Sequence, residues 1–433
     1  MKYKIGIRRE DKNQWERRVP LIPTHINDFK KNYNIETIIQ PSKIRIFDDD
    51  EYVKAGAIVN EDLSSCPVIF AVKEIPINFF EKEKTYVFFS HTIKGQKYNM
   101  PMLKNMMDLR CNLIDYEKIV HEKGYRLVFF GKYAGLAGMV DSLWAFGQRL
   151  KSQGVISPFS KIKQTINYRN HLSEIKLHLK EIGDEIKEQG IPKSIAPVVV
   201  GFAGYGNVSK GAQEILDILP VKTISPYEIK GVYENPSDRY IYKVVFKEED
   251  MVKPISEDED FVLLDYYNHP EKYVSKFSDY IPYLSILMNC IFWNEKYPRL
   301  LTKEFLNKTD LDAINLQVIG DISVDVNGAV EITEKTTNPG NPVFVYNPKT
   351  NSIVDGYIGE GIAIIAVDNL PCELPRESSN EFSKSLYPFV PKIAQTDFSV
   401  DFENLKLPME IKKSVILFHG KLTPDYRYIG KYL

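Results

Sequence analysis

Apolar runs of strand length alternate with segments of helical spacing in the first third of the chain. Apolar residues at helical spacing predict helices through Ile26 and Phe29, at residues 51–55 and at residues 100–110. Strand-length runs predict strands at Tyr3–Ile7 and at residues 36–40, 67–72, 85–89, 111–114 and 126–130. This alternation is typical of an α/β fold with a mainly parallel sheet.

A second series of the same kind follows. Small residues at 131–138 predict close backbone packing where two domains meet, and they lead into a helix through Met139 and Leu150. An amphipathic helix is predicted over residues 172–186, ended by Gly190. Further strands are predicted from residue 195 and at 221–224, 260–265 and 318–322, and Asn327-Gly328 predicts a hairpin between residues 323–326 and 329–332.

The apolar run from residue 195 ends in the glycine cluster Gly204-Tyr-Gly-Asn-Val-Ser209, and a helix-compatible segment follows. A strand, a glycine turn and a helix in this order can hold a dinucleotide pyrophosphate. Glycines let the backbone approach the phosphates, and N–H groups at the helix start bind them. The third glycine of the fingerprint is replaced by Ser209. Gly204, Gly206, Asn207, Val208 and Ser209 are therefore candidate cofactor-binding residues, with an ordinary strand–helix turn as the alternative.

These elements predict two Rossmann-like α/β domains with a cleft between them, the second inserted into the first. The first domain is expected at residues 1–135 and carries the substrate site. The second, at residues 136–355, is the dinucleotide-binding domain. Residues 356–433 are expected to return to the first domain as a helical tail. The length of 433 residues suits two domains.

Three successive predicted strands of the first domain end in ionisable residues. They are followed by Lys73-Glu74, by Ser90-His91 and by Asp115-Tyr-Glu117. Ligands of parallel α/β sheets bind beyond the carboxyl ends of the strands, so these residues are candidates for a site. The alternative is that strand ends are polar because they reach solvent.

Composition narrows the function classes. Hydrophobic residues make up 43% of the chain, and its formal net charge is -2, which argues against nucleic acid as a partner. No apolar segment reaches the length of a membrane span, and the N terminus is predicted to be a strand rather than a signal peptide. Neither the four cysteines nor the seven histidines have metal-ligand spacing. We therefore predict reduced cysteines, a cytoplasmic location, no metal site and no membrane partner.

Several ordered motifs along essentially the whole chain resemble one enzyme family. They are Ile7-Arg-Arg-Glu-Asp-Lys-Asn-Gln-Trp-Glu-Arg-Arg-Val-Pro20, Phe88-Phe-Ser-His-Thr-Ile-Lys94, Leu113-Ile-Asp-Tyr-Glu-Lys118, Tyr168-Arg-Asn170, Gly206-Asn-Val-Ser-Lys-Gly-Ala-Gln213 and Pro298-Arg-Leu-Leu301. The chain resembles the lysine–ketoglutarate reductase part of α-aminoadipic semialdehyde synthase. Lysine-forming saccharopine dehydrogenases and, more distantly, alanine dehydrogenase share this architecture. The resemblance implies an oxidoreductase that joins lysine to 2-oxoglutarate and reduces the imine with NAD(P)H to give saccharopine.

The resemblance also implies roles for the strand-end residues. Lys73 matches the base toward the substrate amine, and His91 matches the acid–base group at the carbonyl oxygen. Glu74 and Glu117 match acids that balance the lysine charge and hold the amino group of substrate lysine. Arg18 and Arg126 match residues that grip substrate carboxylates, a task that suits a planar guanidinium. A surface ion pair is the alternative for either arginine.

Less specific matches complete the predicted site. Phe130 is expected to pack on substrate or nicotinamide, with a core position as the alternative. Gln96 matches an amide that touches the cofactor. Asp321 matches a region near the nicotinamide, with a strand-end cap as the alternative.

The cofactor is predicted to be NADPH, with NADH as the alternative. NAD enzymes usually carry an acid at the end of the next strand, where it accepts the ribose 2′-hydroxyl. The predicted strand 221–224 is followed by Ser225, where the bifunctional relatives have an acid. A 2′-phosphate would not be repelled there.

Two other function classes stay open. One is another amino-acid or opine-type dehydrogenase on the same scaffold, and the other is a non-catalytic nucleotide-binding regulator. The retained Lys73, Glu74, His91 and Glu117 disfavour the regulator, because a sensor does not need an acid–base pair. The expected partners are small molecules, and the oligomeric state and physiological direction stay undetermined.

Overall fold

Strands and helices alternate through the first part of the computed structural model, which describes residues 3–169 and 171–433. The motif residue Asn170, like Met1 and Lys2, lies outside the described residues. The elements in chain order are β1 (Tyr3–Ile7), α1 (Pro23–Tyr33), β2 (Ile35–Ile39), α2 (Asp49–Lys54), β3 (Ile58–Val59), β4 (Val68–Phe70), β5 (Thr85–Phe88), α3 (Met100–Asp108) and β6 (Asn112–Asp115).

The middle of the chain begins with two long helices and continues as a second sheet. Its elements are α4 (Gly131–Ser152), α5 (His171–Gln189), β7 (Val198–Ala203), α6 (Asn207–Leu216), β8 (Val221–Thr223), β9 (Ile241–Phe246), α7 (Glu248–Met251), β10 (Val252–Pro254), α8 (Leu263–Asn268), β11 (Tyr273–Ser275), β12 (Ile286–Asn289), α9 (Lys303–Lys308), β13 (Val318–Asp321), β14 (Val343–Asn347), β15 (Ser352–Asp355) and β16 (Ile362–Ile365). The last part contains α10 (Pro375–Leu386), α11 (Val390–Ala394), α12 (Met409–Lys412), β17 (Val415–Phe418) and β18 (Lys421–Leu422).

The chain divides into two units. Unit 1 comprises Met1–Phe130 and Pro375–Leu433, and unit 2 comprises Gly131–Leu374. The chain therefore leaves unit 1 and returns to it, but it returns later than residue 355, where the sequence placed the boundary. The reason is that β16 still pairs with β13 in the sheet of unit 2.

The sheet of unit 1 has the strand order β18-β17-β6-β5-β4-β1-β2-β3. Its strands from β6 to β3 pair in parallel, as predicted. The predicted strand at residues 126–130 is wrong. The strand that follows β6 in the sheet is β17, which pairs antiparallel with β6. Val128 is buried in the core instead, and Leu127 and Phe130 pack against it.

The sheet of unit 2 has the strand order β15-β14-β16-β13-β12-β7-β9-β8. The strand beside β7 is β9, with six paired residues from Val198↔Ile241 to Ala203↔Phe246. The next strand in the sequence, β8, pairs with β9 and lies at the edge of the sheet. The strand next to β7 is therefore not the next strand in the sequence, because β9 lies between β7 and β8.

Two further sequence predictions in unit 2 are wrong. Residues 260–265 are not a strand but lead into α8, and Val262 and Leu264 are 53% and 70% exposed, so this apolar run is not a buried strand. Asn327-Gly328 does form a turn, in which the Gly328 N–H donates to the Asp325 carbonyl at 2.8 Å. The flanking residues do not pair as a hairpin, because Val330 bridges to Leu301 instead.

The small residues of α4 allow a close approach to α6. A Cβ atom at Gly135 would lie 1.9 Å from the Val208 carbonyl oxygen, and one at Gly211 would lie 2.1 Å from the Lys132 carbonyl oxygen. Each position therefore requires glycine. The predicted close backbone packing occurs within unit 2, where it fixes the helix that follows the glycine turn.

Candidate active site

Lys73, His91 and Glu117 follow three strands that neighbour one another in the sheet of unit 1. Lys73 comes after β4, His91 after β5 and Glu117 after β6, and β5 pairs in parallel with both β4 and β6. Carboxyl ends of parallel neighbours meet at one edge of a sheet. The structure therefore brings the ionisable strand ends together, as the sequence predicts.

The imidazole of His91 is paired with Glu74. Its Nδ1 lies 2.6 Å from Glu74 Oε1, and Lys12 Nζ donates to Glu74 Oε2 at 2.9 Å. Burial acts to raise the pKa of Glu74, but the hydrogen bonds and charges of His91 and Lys12 outweigh it and hold this pKa well below its usual range. Because Glu74 is ionised, Nδ1 of His91 is the donor, and Nε2 is the nitrogen that can exchange a proton with a substrate.

The pKa of Lys73 is lowered. Burial is the largest cause and the positive charge of Arg18 is the next, while Glu16 and Glu74 act in the opposite direction. A lysine with a lowered pKa is more readily found as a neutral amine near neutral pH, which is the state that a general base needs.

Glu10 holds the backbone at Lys73. Its two carboxylate oxygens accept hydrogen bonds from the N–H groups of Val72 at 2.7 Å and Lys73 at 2.9 Å. Burial, followed by the charge of Glu16, raises the pKa of Glu10 to about 7. Glu10 is thus a buried carboxyl whose ionisation lies near neutral pH and whose oxygens position the base.

Arg18 is buried and engaged by Glu16. Its Nε and Nη2 donate to the two oxygens of Glu16 at 2.7 and 2.5 Å, and the guanidinium lies 4.2 Å from the centre of the Phe130 ring. Phe130 in turn stacks on Phe382 at 4.5 Å. Arg18 was predicted to bind a substrate carboxylate, but two of its N–H groups donate to the carboxylate of Glu16. Phe130 forms an aromatic wall beside this pair.

Glu117 and Arg126 form an ion pair with each other. Arg126 is half exposed, at 50% of its side chain, whereas Glu117 is 13% exposed. The buried Asp115 links this segment to the one before His91, because it accepts hydrogen bonds from the N–H groups of Glu117 at 2.8 Å and Ser90 at 3.0 Å. The ends of β5 and β6 are therefore joined by one carboxylate.

The loop after His91 is held at several points. His91 itself has a left-handed backbone, with φ of 48°. The Asn99 side-chain amide donates to the carbonyls of Ser90 and His91 at 3.0 and 3.2 Å. Gln96 accepts a hydrogen bond from the Lys94 N–H at 3.1 Å within this loop.

The glycine turn of unit 2 has the geometry that a dinucleotide requires. Gly204 has φ of 93°, in the left-handed region that favours glycine. Gly206 is the N-cap of α6, so no side chain caps this helix in the described structure, and no described atom lies within 4 Å of a Cβ added there. The first N–H groups of α6, at Asn207, Val208 and Ser209, can therefore meet a phosphate.

A cavity of about 330 Å³ lies beside this turn. It is formed where β7, β9 and β12 end, and its wall is largely aromatic, with Glu248 as its carboxylate. Its lining residues are Gly204, Tyr205, Gly206, Glu248, Met251, Tyr266, Tyr267, Cys290, Ile291, Phe292, Trp293, Tyr297 and Pro298. An apolar cavity beyond the strand ends, next to a glycine turn, fits the adenosine part of a dinucleotide.

Two predicted cofactor residues have partners within the protein. Asp321 is buried at the end of β13, where it accepts hydrogen bonds from the Asn289 amide at 2.8 Å and the Thr333 hydroxyl at 2.7 Å. Burial raises the pKa of Asp321 to about 6. Ser225 donates to Glu228 at 2.8 Å and follows the edge strand β8, so β9 lies between its strand and β7.

Sequence reasoning gave no role to Glu10, Glu16 or Glu248. Glu10 and Glu16 belong to the first resemblance motif, and the spacing of Glu16 and Arg18 was an available signal for their ion pair. Glu248 had no signal, because only the strand order places it beside the glycine turn.

Comparisons with known proteins agree with this architecture. The alanine dehydrogenase/PNT N-terminal domain matches residues 6–137, and the alanine dehydrogenase/PNT C-terminal domain matches residues 286–425. Among solved structures, an L-alanine dehydrogenase has a TM-score of 0.63 at 16% identity and covers 99% of both chains. A transhydrogenase from Sinorhizobium meliloti has a TM-score of 0.54 at 13% identity, with 98% of this chain and 100% of that chain covered. These likenesses show the fold.

Relatives of known name are more similar in sequence. The mitochondrial α-aminoadipic semialdehyde synthase of Bos taurus is 38% identical over 99% of this chain and 47% of its own length. The α-aminoadipic semialdehyde synthase of Arabidopsis thaliana is 38% identical over 99% of this chain and 41% of its own length. The NAD(+), L-lysine-forming saccharopine dehydrogenase of Yarrowia lipolytica is 27% identical, with 91% and 93% covered. The chain thus spans about half the length of the two synthases.

Proposed function

We propose that this chain, which belongs to the alanine dehydrogenase/PNT family, is a lysine–2-oxoglutarate reductase. It would condense the ε-amine of L-lysine with 2-oxoglutarate and reduce the resulting imine to saccharopine, in a reversible reaction. The observation that carries this proposal is the pairing of His91 with Glu74 beside a Lys73 of lowered pKa, at neighbouring ends of parallel strands. The similarity to the two synthases supports these substrates.

Lys73 and His91 supply the proton transfers of the condensation. Lys73, as a neutral amine, takes a proton from the ammonium group of substrate lysine, whose nitrogen then forms a bond to the C2 carbonyl carbon of 2-oxoglutarate. His91, as the imidazolium, gives its Nε2 proton to the carbonyl oxygen and forms a carbinolamine. It then carries a proton from the carbinolamine nitrogen to the hydroxyl, the C–O bond breaks, and water leaves a protonated imine. Glu74 accepts the Nδ1 proton of His91, so proton exchange with the substrate takes place at Nε2.

Substrate contacts come from the residues around this pair. Arg126 is the more exposed of the two predicted arginines and is proposed to bind a substrate carboxylate, with Glu117 near the substrate amine. Arg18 is proposed to be fixed by Glu16 beside the site, where its positive charge lowers the pKa of Lys73 and attracts a substrate carboxylate. Phe130 is proposed as the aromatic wall of the site.

A nicotinamide dinucleotide would supply the hydride that reduces the imine carbon. Gly204, Gly206 and the first turn of α6 are proposed to hold its pyrophosphate, and Gln96 and Asp321 are proposed as further contacts of the cofactor. Ser225 lies beyond the edge strand β8. The absence of an acidic residue at position 225 is therefore no evidence about the ribose. The prediction of NADPH over NADH loses its basis.

The setting of the enzyme is also a proposal. Cys66, Cys111 and Cys290 are free thiols, which supports the reducing cytoplasm predicted from the sequence. The described part of the chain contains no helix that is both long enough and apolar enough to cross a bilayer.

One assay tests the proposed reaction. Oxidation of NADH and of NADPH is followed at neutral pH with L-lysine plus 2-oxoglutarate, with each substrate omitted in turn. We expect oxidation only when both are present, with saccharopine as the product. Turnover with pyruvate and ammonia but not with lysine would instead identify another amino-acid dehydrogenase, and no turnover with any amine would reject both enzymes.

A further inference from the structure

We infer that Glu248 reads the adenosine ribose of the dinucleotide and makes this protein selective for NADH over NADPH. The inference rests on the proposed use of a nicotinamide dinucleotide and adds the residue that selects between its two forms. It follows from the strand order of unit 2, from the hydrogen bonds of Glu248 and from the charges around the cavity beside the glycine turn.

Strand order places Glu248 where a ribose-binding acid belongs. In dinucleotide-binding sheets this acid follows the strand that lies beside the strand leading into the glycine turn. That strand here is β9, because it pairs with β7 along six residues and the Gly204 N–H donates to the Phe246 carbonyl at 3.0 Å. Glu248 is the second residue after Phe246 and lines the same cavity as Gly204 and Gly206.

Two tyrosines orient the Glu248 carboxylate. Tyr267 donates to its Oε1 at 2.6 Å, and Tyr205, the residue between the two glycines of the turn, donates to its Oε2 at 3.2 Å. Each oxygen keeps acceptor capacity after these bonds. The 2′- and 3′-hydroxyls of a ribose are donors, so a carboxylate held in this way can accept a hydrogen bond from each. An ionised 2′-phosphate has no proton to donate to the carboxylate.

The charges around the cavity favour the same form of the cofactor. Among the described residues that line the cavity, Glu248 is the one with a charged side chain, and none is a lysine or an arginine. Lys247 is 65% exposed and faces Glu249 at 3.8 Å. Arg299 lies 5.1 Å from the centre of the Trp293 ring, but it donates to the carbonyls of Asn327 and Gly328. A 2′-phosphate would therefore meet a carboxylate in a partly enclosed space without a cation placed to offset the repulsion.

Direct binding tests this inference without the condensation reaction. NADH and NADPH are each titrated into the full chain, and binding is followed by nucleotide fluorescence excited through protein tryptophan, since Trp293 lines the cavity. We expect NADH to bind at least about 10-fold more tightly than NADPH, from repulsion between the 2′-phosphate and the carboxylate. In competition, 5′-AMP should displace NADH more effectively than 2′,5′-ADP.

Variants separate Glu248 from its neighbours. Glu248→Gln keeps the shape and removes the charge, so the NADH-to-NADPH affinity ratio should fall by about 10-fold or more, largely through tighter NADPH binding. Tyr267→Phe should weaken NADH binding by a few-fold, because the carboxylate loses one orienting donor. Glu249→Gln is the matched control and should leave the ratio unchanged.

Each outcome of these titrations decides the inference. It is overturned if NADPH binds wild-type protein as tightly as NADH, if Glu248→Gln changes the ratio no more than Glu249→Gln does, or if neither nucleotide binds. Selective NADH binding without lysine-dependent turnover would support the role of Glu248 while rejecting the proposed reaction.

Discussion

His91 Nδ1 lies 2.6 Å from the carboxylate of Glu74, and the same carboxylate receives Lys12 Nζ at 2.9 Å. Glu74 follows β4 and His91 follows β5, so this pair connects two neighbouring strand ends. The resemblance implies that Glu74 balances the charge of Lys73 and holds the amino group of substrate lysine. The observed contact adds that Glu74 can orient His91.

Replacing Glu74 with glutamine should lower kcat by about 10²-fold or more. The glutamine amide can donate to Nδ1, which would place the imidazole proton on Nε2 and leave the wrong tautomer facing the substrate. The measurement is steady-state turnover in both reaction directions. Glu61→Gln, an exposed carboxylate paired with Arg9, is the control and should keep wild-type rates. If Glu74→Gln also kept them, His91 would not depend on this pair.

His91→Ala and Lys73→Met should each lower turnover by about 10²-fold or more, the scale of general acid–base catalysis. Saccharopine formation is measured with both substrates saturating, which separates the loss in kcat from weaker binding. His269→Ala, which changes an exposed histidine of unit 2, and Lys82→Met, which changes an exposed lysine, are matched controls. Wild-type rates in the site variants would remove these two assignments.

Glu16→Ala should destabilise the protein by about 3–5 kcal/mol, because it leaves the buried guanidinium of Arg18 without its bidentate carboxylate. The free energy of unfolding is measured by denaturant titration. Glu61→Ala removes an exposed partner of Arg9 and should cost less than about 1 kcal/mol. Equal losses in the two variants would mean that the Glu16–Arg18 pair contributes no more than a surface ion pair.

Gly135→Ala should lower the free energy of unfolding by at least about 1–3 kcal/mol, since the new methyl group would lie 1.9 Å from the Val208 carbonyl oxygen and force α4 and α6 apart. Because Val208 is in the first turn of α6, dinucleotide affinity should fall as well. Gly231→Ala is the control, as no described atom lies within 4 Å of its added Cβ. Thermal unfolding and nucleotide titration are the measurements, and equal behaviour of the two variants would contradict the close packing.

Local pattern predicted the elements that carry the chemistry, but it could not predict their order in the sheets. Lys73 and His91 could be predicted as site residues because each follows a short apolar run that forms a strand. The carboxyl ends of these strands meet whenever the strands are parallel neighbours. The role of Glu248 could not, because the chain places β8 at the sheet edge before returning to build β9 beside β7. In the same way, β17 comes from the far end of the chain to pair with β6, and residues 126–130 form no strand. Such long-range pairings leave no periodic signal near the residues they affect.

Ionisation of Glu10 should make the protein less stable as pH rises toward neutrality. Its pKa is about 7 in the folded protein against an ordinary value of 4.5, so between these values the folded state binds more protons than the unfolded state. The free energy of unfolding therefore falls by up to about 3 kcal/mol as pH rises through this window, and it levels off at higher pH. Glu10→Gln cannot ionise, and its lost hydrogen bond is a cost that does not vary with pH. Urea unfolding of both proteins from pH 4.5 to 8 should show the stability of wild type falling relative to the variant. Parallel curves would mean that Glu10 does not titrate in this range.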